Sequence, residues 1–185
     1  MSDCSFKEKL PDNLLETVKE KMHELEKILN YTFNDINNLS NAMCGTSIYR
    51  EQAGENSKDY YNDSLAVVGD AIIKTVLSES LFKRGLFKGE ITIIKEQLEK
   101  NDSLFNYSNK INLKNYVFNN HGFYFDTEIQ ERAPYSKHNQ YFEAIVGAVY
   151  FDSDFDKCRK WLLENIYTDS IIEDMISKYH KSISS

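Results

Sequence analysis

Two carboxylates stand alone inside apolar runs. Asp70 lies in Leu65-Ala66-Val67-Val68-Gly69-Asp70-Ala71-Ile72-Ile73, and Glu143 lies in Tyr141-Phe142-Glu143-Ala144-Ile145-Val146-Gly147-Ala148-Val149. Both runs have the composition of a buried helix. A charged carboxylate in low dielectric is costly unless a cation or strong donors neutralise it. Two such groups on two core helices imply one shared site, and a bound metal is the simplest neutraliser. The plainer alternative is that each caps a loop or pairs with a Lys or Arg, and the bare pattern leaves both open. Gly69 and Gly147 lie beside the two carboxylates, where a close helix crossing would bring Asp70 and Glu143 together; simple packing predicts the same approach.

The elements that must position these groups read as helices. Apolar residues at Leu14, Leu15, Val18, Met22, Leu25 and Ile28–Leu29 have helical spacing over 12–30. Asn34 or Asp35 is placed to cap a second helix carrying Ile36, Leu39 and Met43. Residues 48–61 are polar and read as an exposed connector. The central helix is expected over about 62–84, stopped by Gly85 after Lys83 and Arg84. A helix follows Gly89, and Asp102 or Ser103 is expected to cap the next. Residues 112–134, with Asn119, Asn120, Gly122 and Pro134, read as an irregular or weakly helical connection. The second core helix is expected over about 136–152, then helices over 155–166 and 170–181. No run of strands is expected, so the predicted class is all-α.

Bulk properties narrow the function classes. The chain has 185 residues, 41% of them hydrophobic, which suits one domain with a real core. Its net charge of −7 argues against general nucleic-acid affinity, which is driven by counterion release, but leaves room for a local basic groove or metal-bridged phosphate contacts. Cys4, Cys44 and Cys158 are odd in number, widely spaced and without a CxxC, so neither a disulfide framework nor a zinc site is expected. The residues from Met1 to Leu10 lack the apolar core of a secretory signal, and no apolar stretch reaches the roughly 18 residues of a membrane span. A soluble protein in a reducing, intracellular compartment, cytoplasmic or nuclear, is the expectation.

Several segments together resemble ribonuclease III domains. Leu25-Glu26-Lys27-Ile28-Leu29-Asn30-Tyr31-Thr32-Phe33 is similar to the family's opening helix and its GYxF-type turn. Ala42 and Ser47, within 41–47, fit its AxTHxS-like segment. Asn62-Asp63-Ser64-Leu65-Ala66-Val67-Val68-Gly69-Asp70-Ala71 resembles the signature NExLExLGDA, and 142–152 resembles the second motif, FEAxxGAxYLD. Two motifs in the right order and at the right separation are a specific signal, where either alone would be weak. The signature LAxxGDA, with Ala at 66, and the polar approach 135–140 also resemble the small Mini-III branch; Tyr31-Thr32-Phe33 and 151–155 resemble ordinary ribonuclease III.

The resemblance implies an all-α, dimeric ribonuclease III endonuclease fold over 20–168, with 1–19 as an N-terminal extension and helix start and 169–185 as a C-terminal helix and tail. It implies a divalent-metal-dependent endoribonuclease that hydrolyses double-stranded RNA, with Mg²⁺ as cofactor and Mn²⁺ able to substitute. The expected partners are the RNA duplex and a second copy of the chain, with a heterodimer as the alternative. By the family pattern Asp70 and Glu143 are metal ligands, while the other two carboxylate places hold Ala66 and Gln140. Gln140 is expected to offer a neutral oxygen or orient water, and Asp63, two helical turns before Asp70, to be a peripheral ligand. Glu90 stands nearest the family's acidic residue after the central helix, and with Lys137 and His138 it completes the expected RNA-facing set. No double-stranded-RNA-binding domain is expected after the last helix, so RNA affinity is expected to be salt-sensitive and to rest on shape. The rival is a catalytically silent module of the same fold that binds RNA or pairs with an active partner; a helical scaffold with internally paired carboxylates ranks third.

Overall fold

Residue spacing translates directly into the first helix. Val18, Met22, Leu25 and Leu29 fall on one stripe, and all four are fully buried in α1 (Asp12–Leu29). Its end is set by Asn30 in the left-handed region (φ 52°), which lets Asn30 N–H donate to the Lys27 carbonyl and Tyr31 N–H to that of Glu26. The computed structural model describes residues 12–44, 61–99, 101–119, 122–123 and 138–183. The polar connector 48–60 and most of 120–137 therefore lie outside the described residues.

The fold is all-α. After α1 come α2 (Ile36–Met43), α3 (Tyr61–Lys83), α4 (Lys88–Glu99), α5 (Asn101–Lys110), a 3-10 turn (Leu113–Tyr116), α6 (His138–Asp152), α7 (Phe155–Asn165) and α8 (Asp169–Ile183). Asp35 caps α2 by accepting from Asn37 N–H, and Asp154 caps α7 by accepting from Lys157 N–H. Gly85, at φ +80°, closes α3 as expected. Two expectations need correcting. Asp102 and Ser103 do not precede α5, because the helix already begins at Asn101 and both lie in its first turn. The connection after α5, expected to be irregular or weakly helical, also holds a strand pair: Phe118–Asn119 pairs antiparallel with Gly122–Phe123, burying Phe118 and Phe123 ring against ring at 5.9 Å between centroids.

The long helices α3 and α6 form the centre and pack on each other, with α2 and α7 also against α6 and α4 against α3. Their shared core includes Ile73, Leu77, Leu81 and Phe142, all essentially buried. Asp152, at the end of α6, ties down the turn between α1 and α2. It accepts from Tyr31 Oη (3.0 Å), Asn34 N (2.8 Å), Asp35 N (2.9 Å) and Asn38 Nδ2 (3.0 Å). Burial opposes its ionisation, but these donors hold its carboxyl below the usual range. Trp161 of α7 adds a second tie, donating to the Leu29 carbonyl at 2.8 Å. No helix among the described residues is long and apolar enough to cross a membrane.

Candidate active site

Glycine decides how closely the two central helices meet. A Cβ built on Gly69 would overlap the Glu143 carbonyl, lying 2.7 Å from its carbon, and one on Gly147 would lie 3.0 Å from the Leu65 carbonyl carbon. The backbones of α3 and α6 are thus in direct contact at both glycines, one residue before Asp70 and four after Glu143. Without a side chain at 69, the two carboxylates sit within each other's field. Glu143 is pushed up to about 7, first by burial and then by the charge of Asp70, with Lys74 opposing.

The expectation of two deeply buried carboxylates is corrected. The Asp70 side chain is 40% exposed and Glu143 is partly exposed. The apolar residues around Asp70 point to both sides of α3, and Val67, at 72% exposure, shares the open side. Nor is Asp70 without a cation. Lys74, one turn on, places Nζ 2.6 Å from Asp70 Oδ2, the internal pairing that the bare sequence left open.

The remaining predicted residues fall into distinct places. Gln140, one turn before Glu143, donates from Nε2 to Asn62 Oδ1 at 2.9 Å, and Asn62 donates in turn to the Ala42 carbonyl. This buried relay pins the starts of α3 and α6 to the end of α2 and leaves the Gln140 carbonyl oxygen as the part able to ligate. Asp63 lies in the first turn of α3, partly exposed. Glu90 caps α4: its carboxylate accepts from Phe87 N–H at 2.9 Å and meets His180 of α8 at 3.1 Å. Those contacts hold it below the usual range, that of Phe87 foremost. Lys137 lies outside the described residues, and of His138 only the backbone, opening α6, is described.

Three residues that sequence reasoning passed over belong to the same neighbourhood. Lys74 was detectable, being four residues after Asp70 on one helix. Glu99, at the end of α4, is raised by burial, with Asp70 adding to the rise and Lys95 and Lys74 opposing it. Tyr167, between α7 and α8, is raised by burial and by the charges of Glu99 and Glu143. Neither carried a local signal, because each reaches the site only through tertiary packing.

Among the described residues, no three His, Cys, Asp or Glu side chains form a ready-made metal cage. Asp70 and Glu143 nevertheless suit Mg²⁺, which is commonly held by one or two carboxylates while keeping several waters or substrate phosphate oxygens. A close acidic pair that raises one of its own pKa values also gains by taking up a cation.

A family model described as ribonuclease-III-like matches residues 35–170. Ribonuclease 3 of Fusobacterium nucleatum is 32% identical over 155 residues, covering 82% of this chain and 64% of that protein. Ribonuclease 3 of Rickettsia conorii is 26% identical over 162 residues, covering 86% of this chain and 69% of the relative. The chain thus spans roughly two thirds of the length of these curated relatives. The nuclease domain of ribonuclease III from Campylobacter jejuni is similar in two crystal structures, with TM-scores of 0.62 and 0.61 at 25% identity. They cover 80% of this chain and 94% and 92% of the neighbour, and one of them concerns flexibility in the region involved in dimer formation of that domain.

Proposed function

Since the chain belongs to the ribonuclease-III-like family, we propose that it is an endoribonuclease that cleaves double-stranded RNA by divalent-metal-dependent hydrolysis, acting as a homodimer. The observation that carries this reading is the glycine-mediated crossing of α3 and α6, together with the charge of Asp70 felt by Glu143. Asp70 and Glu143 would hold the metal, with the Gln140 carbonyl oxygen as a neutral auxiliary and Asp63 further out. When bound, a divalent cation there supplies positive charge to polarise the phosphodiester and to acidify an attacking water. The chain's own contribution is position and charge. Asp70 presents a carboxylate on the open side of α3, and Glu143, at about 7, can hold or release a proton at its carboxyl oxygens near neutral pH. Hydrolysis then joins the water oxygen to phosphorus and breaks the bond to the 3′ oxygen, leaving a 5′ phosphate.

Exposed apolar side chains on α3, Val67 above all, support assembly with a second copy. Lys137 and His138 remain the proposed phosphate contacts, and an RNA substrate fits an intracellular setting. A long RNA duplex incubated with and without Mg²⁺ or Mn²⁺ tests the proposal. Wild type should cleave only with metal, and Asp70→Asn and Glu143→Gln should each lower the rate by about a hundredfold or more, as for loss of a principal electrostatic group. An intact duplex at high protein concentration would sink it.

The Lys74–Asp70 bridge and the tethered Gln140 favour one alternative, a catalytically silent module. That reading expects a gel shift of the duplex without cleavage under any divalent metal.

A further inference from the structure

Lys74 has more acidic neighbours than a surface helix pair requires. Its Nζ bonds Asp70 Oδ2 at 2.6 Å, while the side chain stays 48% exposed and so keeps room to move. Glu99 is only 17% exposed, and its Oε1 is buried without a hydrogen bond among the described residues; Lys95 pairs with it loosely, its ammonium 3.9 Å away and beyond hydrogen-bond reach. Tyr167 is 3% exposed and its hydroxyl, too, has no hydrogen-bond partner among the described residues. The charges of Asp70, Glu99 and Glu143 all act on Lys74, and those of Glu99 and Glu143 act on Tyr167. Lys74 thus bonds one carboxylate and stands in the field of two more, carried by three helices in all.

We propose that Lys74 is the resident cation of this site, competing with a divalent metal for Asp70, and that Glu99 is the carboxylate that receives its ammonium when the metal is bound. The proposal rests on the metal-dependent reading above and makes Lys74 and Glu99 positioning residues. In the free protein the ammonium offsets the charge of Asp70 and so opposes a second cation there. With metal on Asp70, like-charge repulsion drives the ammonium off, and Glu99 Oε1, buried without a hydrogen bond among the described residues and within electrostatic reach of Lys74, offers it a charge-assisted partner. An ordinary exposed i,i+4 pair would have no such coupling.

Mn²⁺ binding to the RNA-free protein, measured by electron paramagnetic resonance, tests this without reference to cleavage. Lys74→Met should tighten Mn²⁺ at least about fivefold, the lower end of ordinary coupling between two ligands. Glu99→Gln should weaken Mn²⁺ while Lys74 is present and have no effect in the Lys74→Met background, because the displaced ammonium is then gone. Lys74→Met within about twofold of wild type, or an equal effect of Glu99→Gln in both backgrounds, would overturn the proposal. Asp70→Asn separates the two readings: if it abolishes Mn²⁺ binding while Lys74→Met changes nothing, the metal site stands and only the role of Lys74 falls. If wild type, Lys74→Met and Asp70→Asn all fail to bind Mn²⁺, both readings fall.

Discussion

Gly69→Ala is the most direct way to challenge the central crossing. The added Cβ would stand 2.7 Å from the Glu143 carbonyl carbon and overlap its oxygen. Ordinary carbon–carbon contact needs about 3.5 Å or more, and the overlap with the oxygen is worse, so the helices must part by at least about 1 Å. No rotamer change relieves the clash, because the group it meets is backbone. An extra methyl in a packed core costs about 1–3 kcal/mol when side chains can shift; here a gross cost of roughly 3–5 kcal/mol is expected. Ala gains about 1 kcal/mol over Gly in a helix interior, leaving a net loss of roughly 2–4 kcal/mol. For a chain of this size that is a fall in Tm of about 5–15 °C, readable by circular dichroism or calorimetry. Gly89→Ala is the matched control: it lies in α4 with nothing within 4 Å of a built Cβ, so the same exchange should leave Tm unchanged or raise it. If Gly69→Ala melts at or above wild type while Gly89→Ala behaves as stated, the two backbones are not in contact and the close carboxylate pair loses its cause. A tolerant Gly69→Ala that also keeps Glu143 near 7 would show that something other than the crossing raises it.

Two further perturbations probe the site and its frame. Glu143 is raised in the folded state from the usual 4.5 to about 7, so its stabilising share is fully present below about 4.5 and is lost as pH rises through 7. Glu143→Gln should therefore melt higher than wild type at pH 8, with the gap closing toward pH 4; a gap that widens on acidification would show the sign to be wrong. Asp152→Ala removes the acceptor for Tyr31, Asn34, Asp35 and Asn38 together and should cost about 3 kcal/mol, a Tm fall of roughly 6–12 °C. A change under 2 °C would mean that the turn after α1 is held by Trp161 and the Asn30 cap instead.

The sequence was most informative where the physics is local. Helical spacing over 12–29, the Asp35 cap and the Gly85 stop each depend on residues within a few positions, and all are seen in the structure. Asp70 and Glu143 were visible as charges in apolar runs, but the runs overstated their burial: an apolar residue on an open helix face, such as Val67, reads the same as a core one. Glu90 shows a second limit. A carboxylate at the third position of a helix is ambiguous between site and cap, and the Phe87 N–H and His180 contacts show this one capping. Glu99 and Tyr167 show a third, since 29 and 97 residues separate them from Asp70 and no spacing rule spans such gaps. What the fold adds is therefore charge bookkeeping across helices. An acidic pair that seemed merely short of carboxylates has a lysine on one member and a third carboxylate, Glu99, within electrostatic reach. The electrostatic question thus shifts from how many acids remain to which cation they hold.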